Sequence, residues 1–246
     1  MQSFAVTDIG MVRSMNQDFV FASPERIGPL EDLFLVADGM GGHRAGDYAS
    51  RFLIEYIVKS VKTSDGKAPV AVLERAIRLG NRELYRDAVE KEELSGMGTT
   101  LVAASTEGTT LYVANIGDSR LYLVRRGKAY QVTKDHSYVE EMVAAGKMVR
   151  GSREYLSQKN IITRAAGMTE RVEADFFEVE LEEGDTILLC SDGLTNMVDN
   201  DAIAKIVSGG GSLEEKGRRL VDAANENGGR DNITVILAEL DEKEVG

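Results

Sequence analysis

The chain alternates short apolar runs with polar, glycine-containing turns. Apolar runs of four to eight residues bounded by turn residues are typical of buried β-strands. The pattern predicts strands over residues 4–8, 19–22, 33–37, 100–104, 110–116, 120–124, 129–132, 176–181, 186–190 and 233–240. The four strands between residues 100 and 132 follow one another without a helix, which predicts antiparallel meanders. A hairpin around Glu183-Gly184 is expected to join the strands at 176–181 and 186–190.

Two longer segments carry apolar residues at helical spacing. The positions are Ala45, Ala49, Phe52, Leu53, Tyr56 and Ile57 in the first segment, and Leu73, Ala76, Ile77, Gly80 and Leu84 in the second. A polar stretch at residues 63–66 separates them. Further helices are predicted at 137–145, from Asp199, and from Ser212, where Ser212 and Glu215 fit a capping box. Each amphipathic helix is expected to bury one face against a sheet.

Residues 146–164 are polar and only weakly periodic, and they include the basic residues Arg150, Arg153, Lys159 and Arg164. We expect a mobile, flap-like segment here, over or beside the functional site. Elsewhere the chain has no linker: proline occurs only three times, and no low-complexity tract interrupts the pattern. The sequence therefore predicts one domain spanning residues 1–246.

Charge and composition narrow the classes of partner. The net charge of −12 makes the chain a poor partner for nucleic acid or an anionic membrane, and we expect neither. The sequence has no signal-peptide pattern and no apolar stretch of about 20 residues, so we expect a cytoplasmic protein. The single cysteine, Cys190, lies inside an apolar run and is expected to be a small buried side chain.

Aspartates beside glycines recur where predicted strands end. Asp38 follows the run at 33–37, Asp118 follows 110–116, Asp192 follows 186–190, and Asp231 precedes the last strand. A carboxylate at the end of a buried strand costs several kcal/mol unless a cation or partner compensates it. If these strand ends converge, the aspartates form a cluster that requires hard cations.

The motifs that contain these residues occur in a recognisable order. They are Asn16-Gln17-Asp18, Asp38-Gly39-Met40-Gly41-Gly42-His43, Gly96-Met97-Gly98-Thr99-Thr100, Gly117-Asp118-Ser119-Arg120, Ser191-Asp192-Gly193-Leu194 and Gly229-Arg230-Asp231-Asn232. The set resembles the metal-dependent Ser/Thr protein phosphatases of the type 2C (PPM) family, in particular its compact bacterial members. The resemblance spans residues 3–240, nearly the whole chain. It implies an α+β fold: a four-layer αββα sandwich of two stacked, mainly antiparallel sheets flanked by helix pairs.

The resemblance also implies a binuclear metal centre. Asp38 is expected to bridge two ions, with the Gly39 carbonyl oxygen as a ligand of one of them. Asp192 and Asp231 are expected to hold the second ion, and Asp18 to reach it through water. An all-oxygen ligand set suits Mg²⁺ or Mn²⁺, whereas zinc more often recruits His or Cys. Two such ions would activate a water molecule for attack on phosphorus.

Three further residues receive roles from the same resemblance. Asp118, together with Asp192, is expected to hold a third, weaker ion. Arg13 matches the phosphate-binding arginine of the family, and a guanidinium fork suits a phosphate dianion. Many eukaryotic relatives have a histidine where Met40 stands here; His43 is a candidate to protonate the leaving group, with a structural role as the alternative. For His136 we expect a structural hydrogen bond, and for residues 96–100 a supporting role without chemistry.

The sequence thus predicts a phosphatase that acts on phosphoserine and phosphothreonine in proteins, with a Ser/Thr kinase among its substrates and a monomeric state. One alternative is a hydrolase of small phosphate esters on the same fold. The other is a catalytically silent binding module, which would have lost its metal-binding aspartates. The chain has no P-loop motif, and Cys190 lacks the arginine-containing loop of cysteine-dependent phosphatases.

Overall fold

The computed structural model describes residues 1–42 and 44–240, and its strands form two antiparallel sheets. The strands in these ranges are β1 (Gln2–Asp8), β2 (Asp18–Ser23), β3 (Leu33–Met40), β4 (Gly98–Thr99), β5 (Leu101–Glu107), β6 (Thr110–Ile116), β7 (Arg120–Arg125), β8 (Lys128–Gln131), β9 (Asp175–Glu180), β10 (Thr186–Cys190) and β11 (Ile233–Glu239). The first sheet has the order β1-β11-β10-β7-β8. The second has the order β2-β3-β5-β6-β9, with the short β4 paired to β3.

Helices cover the outer face of each sheet. Those in the described ranges are α1 (Ala45–Lys62), α2 (Pro69–Glu90), α3 (Tyr138–Ala144), α4 (Arg153–Gln158), α5 (Asp192–Thr195), α6 (Asn200–Val207) and α7 (Leu213–Glu226). α1 and α2 pack together on the second sheet, and α6 and α7 pack on the first. The predicted αββα sandwich is confirmed. No helix in the described part of the chain is both long and apolar enough to cross a bilayer.

Three apolar layers separate the four layers of secondary structure. Leu53 and Ile57 of α1 belong to the layer beneath the first helix pair, and Phe34 and Val36 of β3 to the layer between the sheets. Residues 187–190 of β10 show why the central strands contain consecutive apolar residues: alternate side chains face the helices or the other sheet. Cys190 is fully buried in the layer beneath α6 and α7, as predicted, and burial raises the pKa of its thiol to about 12.

The predicted order of hairpins is wrong at two places. β6 and β7 are consecutive but lie in different sheets, so residues 117–119 cross from one sheet to the other. β9 and β10 likewise do not form a hairpin, because β9 pairs with β6 while β10 pairs with β7 and β11. Strand periodicity reports which faces of a strand are buried, and it does not report which sheet the strand joins.

The starts of α6 and α7 agree with the sequence prediction better than the order of the hairpins does. Ser212 and Glu215 form the capping box at the start of α7, and the Asp199 side chain caps α6 by accepting from Ala202 N. Two short helices were not predicted: α4 within residues 146–164, and α5, which begins at Asp192. Both are too short for helical periodicity to be visible in the sequence.

Candidate metal centre

Asp18 and Asp38 are direct neighbours at the end of the second sheet. They face each other in the antiparallel register of β2 and β3. Asp18 is only 5% exposed, and its Oδ2 accepts hydrogen bonds from Ser191 Oγ and Thr234 Oγ1, each at 2.7 Å. Ser191 and Thr234 belong to the first sheet and its connections, so Asp18 lies where the two sheets meet.

The backbone of Asp38 is fixed from the neighbouring strands. Asp38 N donates to Thr100 Oγ1 (2.9 Å), and Asp38 O accepts from Thr100 N (2.9 Å) and Thr99 Oγ1 (3.0 Å). This confirms the supporting role predicted for residues 96–100. The next residue, Gly39, lies against α1: a Cβ atom there would stand 2.0 Å from Gly46 O. Only glycine lets the helix approach the strand end so closely.

Asp192 and Asp118 complete the buried cluster from the other sheet and from the crossover. Asp192 is the first residue of α5 directly after β10, and its Oδ2 accepts from Asn196 Nδ2 at 2.8 Å. Its negative charge, after burial and the charge of Asp18, helps to raise the pKa of the Asp38 carboxyl group. Asp118 lies in the crossover between β6 and β7, where Gly117 adopts a φ of +96° and packs against Thr100. Four predicted aspartates therefore converge from both sheets.

Burial and mutual repulsion make the charged forms of these four aspartates costly. Burial raises the pKa of Asp18 to about 7, although the hydrogen bonds from Ser191 and Thr234 act in the opposite direction. Burial also raises the pKa of Asp118 to about 8. The negative charge of Asp192 adds to both increases. The pKa of Asp38 lies well above its usual range because of burial and the charges of its neighbours. Burial also raises the pKa of Asp192. A bound cation would compensate the charge of these carboxylates at neutral pH.

The donor atoms fit a hard divalent cation. Oδ1 of Asp18, of Asp118 and of Asp192 are buried carboxylate oxygens without a hydrogen-bond partner. Buried oxygens of this kind normally have a partner, and carboxylates are preferred ligands of Mg²⁺ and Mn²⁺. Within residues 1–42 and 44–240, however, no three His, Cys, Asp or Glu side chains form a ready-made metal cage. The arrangement matches an open site that backbone oxygens and water would complete.

Asp231 is engaged by Arg13 in this arrangement. Arg13 Nη2 donates to Asp231 Oδ2 at 2.6 Å, and Asp231 Oδ1 accepts from the backbone N of Asn232 at 2.9 Å. The pairing raises the pKa of Arg13, to which the charges of Asp38 and Asp192 also contribute. Both predicted residues thus lie at the cluster, and a guanidinium is the cation that neutralises Asp231 here. The Arg13 side chain is 53% exposed and remains accessible from solvent.

Asn232 has a larger role than the sequence suggested. Its Oδ1 accepts from Gln17 N at 2.8 Å, while its Nδ2 donates to Ile9 O (2.9 Å) and Met15 O (3.0 Å). One amide side chain thereby fixes the loop that carries Arg13 and leads to Asp18. The sequence alone gives Asn232 no place in the site. The available signal was its place beside Asp231, together with an amide side chain that can donate and accept at the same time.

The structure describes one of the two histidines for which the sequence analysis made a prediction. His136 makes the predicted structural hydrogen bond: its Nδ1 accepts from Gly117 N at 3.0 Å, one residue before Asp118. An accepting Nδ1 means that a neutral ring carries its proton on Nε2, and Nε2 lies 3.2 Å from Asp175 Oδ2. His43, the candidate proton donor, lies outside the described residues.

Residues 146–164 lie beside the cluster, as predicted. A cavity of about 180 Å³ is lined by Asp118 and Asp192 on one side and by Tyr155, Leu156 and Lys159 of this segment on the other. The Tyr155 hydroxyl donates to Glu140 Oε1 at 2.6 Å and so connects α4 to α3. The mobility of this segment stays a prediction.

Relatives of known sequence place this arrangement in a family. The family model described as protein phosphatase 2C matches residues 12–238. A serine/threonine phosphatase (Stp) of Listeria monocytogenes is 39% identical over 241 residues, covering 96% of this chain and 94% of that protein. Protein phosphatase PhpP of Streptococcus pneumoniae is 38% identical, and the match covers 99% of both chains.

Solved structures agree in fold. The serine/threonine phosphatase of Streptococcus agalactiae superposes with a TM-score of 0.91 at 37% identity, covering 98% of this chain and 99% of that one. The catalytic domain of the phosphatase PstP, solved in complex with two manganese ions, has a TM-score of 0.84 at 35% identity and covers 97% of both chains. Sequence, fold and the converging aspartates lead to one assignment: this chain belongs to the protein phosphatase 2C family of metal-dependent Ser/Thr phosphatases.

Proposed function

We propose that this protein hydrolyses phosphoserine and phosphothreonine side chains of proteins, using water activated at a centre of two Mn²⁺ or Mg²⁺ ions. The observation that carries the proposal is the convergence of Asp18, Asp38, Asp118 and Asp192 from both sheets, with three buried carboxylate oxygens left without partners. Family membership supplies the reaction class. The intact set of aspartates argues against a silent binding module on the same fold.

Each side chain of the centre has a distinct task in this proposal. Asp38 would serve as a ligand common to the two ions, and the Gly39 carbonyl oxygen would be a further ligand. Asp192 and Asp231 would hold the second ion, and Asp18 would orient water near it from its fixed position between Ser191 and Thr234. When bound, the ions lower the pKa of a water nucleophile and neutralise charge on the phosphoryl oxygens.

Substrate binding falls to Arg13. Its guanidinium is half exposed at the edge of the cluster, where its N–H groups can donate to phosphate oxygens. The apolar and basic side chains of residues 146–164 stand on the other side of the cluster, beside Asp118. His43 is our candidate for donating a proton to the departing serine or threonine oxygen.

Substrate class and metal dependence are tested together. We expect millimolar-range Mn²⁺ or Mg²⁺ to support hydrolysis of a phosphothreonine peptide, because open, water-rich carboxylate sites bind such ions weakly. The measurement is phosphate release from that peptide, with and without Mn²⁺, beside a phosphotyrosine peptide, ATP and p-nitrophenyl phosphate. Full activity after exhaustive chelation would contradict the metal-centred mechanism. Efficient turnover of the small ester or ATP without peptide hydrolysis would favour the small-ester alternative.

A third, weaker ion is proposed at Asp118, held jointly with Asp192. Asp118 lies in the crossover loop, apart from the β2–β3 pair that carries Asp18 and Asp38. The Asp118→Asn variant should therefore lower kcat while binding of the two core ions persists. Calorimetric titration with Mn²⁺ counts the ions in the variant and in the unmodified protein. Loss of the high-affinity ions in the variant would show that Asp118 belongs to the core centre.

The remaining expectations follow from the family and stand as proposals. We propose that residues 1–246 form one catalytic domain that acts as a monomer in the cytoplasm. Its phosphoprotein substrates would include a Ser/Thr kinase. The net charge of −12 is the observation that supports the absence of nucleic-acid partners.

A further inference from the structure

We propose that the loop around Arg13 forms an apolar rim that selects phosphoproteins with apolar residues next to the phosphorylated side chain. The rim consists of four side chains: Ile9, Met11, Val12 and Met15. The inference rests on the proposed function and adds a preference for particular substrate sequences to it.

The rim concentrates exposed apolar surface in one place. Ile9, Met11, Val12 and Met15 are 39%, 69%, 67% and 37% exposed. Ten large apolar side chains are exposed in the described part of the chain, and four of them lie within residues 9–15. Single exposed apolar residues are ordinary, but a cluster beside a functional site is typical of a binding surface.

The backbone of the rim is held in place, which favours a preformed surface. Met11 N donates to Gly229 O at 2.7 Å, and Gly10 N donates to Asp8 Oδ1 at 2.8 Å. Asn232 binds the carbonyl oxygens of Ile9 and Met15, one on each side of the loop. Because the main chain is anchored while the side chains stay in solvent, contact with a ligand would cost little backbone entropy.

Arg13 connects the rim to the reacting group. It lies between Val12 and Met15 in sequence, and its guanidinium reaches Asp231 at the cluster. An extended peptide advances about 3.3 Å per residue. If Arg13 binds the phosphate, the residues adjacent to the phosphorylated one therefore come within reach of the rim.

A further exposed apolar side chain lies near the cluster. Leu156 of α4 is 58% exposed and lines the cavity that also contains Asp118 and Asp192. A peptide bound at the centre would thus have an apolar side chain near Asp118 and Asp192 within reach, in addition to the rim. The net charge of −12 disfavours acidic flanking residues. The surface fits leucine, isoleucine, valine or phenylalanine in the flanking positions.

The test compares two phosphothreonine peptides of equal length and charge, one with leucine and one with serine on both sides of the phosphothreonine. We expect kcat/KM to be about tenfold higher for the leucine peptide, which corresponds to about 1.4 kcal/mol. The double variant Met11→Ser/Val12→Ser should bring this ratio close to one. Val12→Thr, nearly the same shape, is the milder variant if the double variant does not fold, and it should lower the ratio part of the way.

Val89→Ser provides a matched control. Val89 is 67% exposed, as is Val12, but it lies near the end of α2, on the helical layer. This variant should leave the peptide ratio unchanged. Equal kcat/KM for the two peptides, with Mn²⁺-dependent hydrolysis of both, would overturn the rim proposal alone. An unchanged ratio in both rim variants would do the same, and failure to hydrolyse either peptide would overturn the proposed function as well.

Discussion

Replacing Asp38 with asparagine should reduce kcat on a phosphothreonine peptide on the order of 10³-fold, as expected when a charged group at the reacting centre is lost. The substitution keeps the shape of the side chain and removes one negative charge. In our proposal Asp38 is the ligand shared by both ions, so its loss affects the whole centre. The measurement is kcat at saturating Mn²⁺, with circular dichroism to show that the variant is folded.

Asp32 offers a matched control for this substitution. It is also a buried aspartate, 1% exposed, in the turn that precedes β3. Its oxygens accept from the backbone N of Thr106 at 2.8 Å and from the Thr106 hydroxyl. Burial raises the pKa of Asp32 to about 6, as it raises the pKa of the cluster aspartates, and an asparagine oxygen can still accept from Thr106 N. Asp32→Asn should therefore keep the protein folded and leave kcat almost unchanged.

The two variants should thus separate the loss of a carboxylate in the cluster from the loss of a buried carboxylate elsewhere. Asp38 is surrounded by other carboxylates, so Asp38→Asn should leave the metal-free protein at least as stable as before. If Asp38→Asn retains more than a tenth of the activity, or if Asp32→Asn loses activity to the same extent, Asp38 is not a shared ligand of the centre.

The strand-end aspartates could be predicted because their signal is local. A carboxylate directly after a buried apolar run, followed by glycine, is unfavourable without a compensating group. This applies to Asp38 and Asp192, and the register between β2 and β3 then brings Asp18 alongside. The convergence of these aspartates could be predicted from the sequence, although the order of the hairpins could not.

The errors lie where the outcome depends on long-range contacts. Whether β7 continues the sheet of β6 depends on the crossover at Gly117, where φ is +96° and the chain packs against Thr100. The role of Asn232 depends on three backbone groups more than 200 residues away in sequence. Neither feature leaves a periodic pattern, so propensity and spacing could not reveal it.

Without metal, the free energy of unfolding should fall as the pH rises from 5.5 to 8.5. In the metal-free protein, burial raises the pKa of Asp18 to about 7 and that of Asp118 to about 8, against 3.8 for an ordinary aspartate. The folded state therefore binds these protons more tightly than the unfolded state. Their contribution to stability is complete below about pH 4 and is lost as the pH rises through 7 and 8. The pKa of Asp38 is raised in the same sense.

Three other groups titrate in or near this window. Burial raises the pKa of Asp32 to about 6, so its contribution to stability is lost as the pH rises through 6 and adds to the trend. Burial lowers the pKa of His136, whose contribution therefore increases as the pH rises through 6.5 and opposes the trend. Asp175 accepts from Arg164 and has a lowered pKa, so its contribution is already complete above about pH 5. Several raised aspartates outweigh one histidine, so we expect a net loss of stability between pH 5.5 and 8.5.

The measurement is a set of melting curves at pH 5.5, 7 and 8.5, in chelator and in excess Mn²⁺. In chelator, Tm should fall as the pH rises. With Mn²⁺ at about 100 times its Kd, about 2.7 kcal/mol is added to the free energy of unfolding, which is about 5–10 °C for a chain of this size. This shift should be largest at pH 8.5 and small at pH 5.5, because protons compete with the ions for the same carboxylates.

Asp231→Asn distinguishes a metal ligand from a structural partner of Arg13. The Arg13–Asp231 pair is at the surface, with side chains 53% and 32% exposed, and such pairs contribute about 0–1 kcal/mol. The variant should therefore melt close to the unmodified protein in chelator and lose most of the Mn²⁺ shift at pH 8.5. A clear drop of Tm in chelator combined with a full Mn²⁺ shift would make Asp231 a structural residue. A Tm that rises with pH in chelator would mean that the buried aspartates are already compensated within the protein, and the cluster would then have no need of a metal.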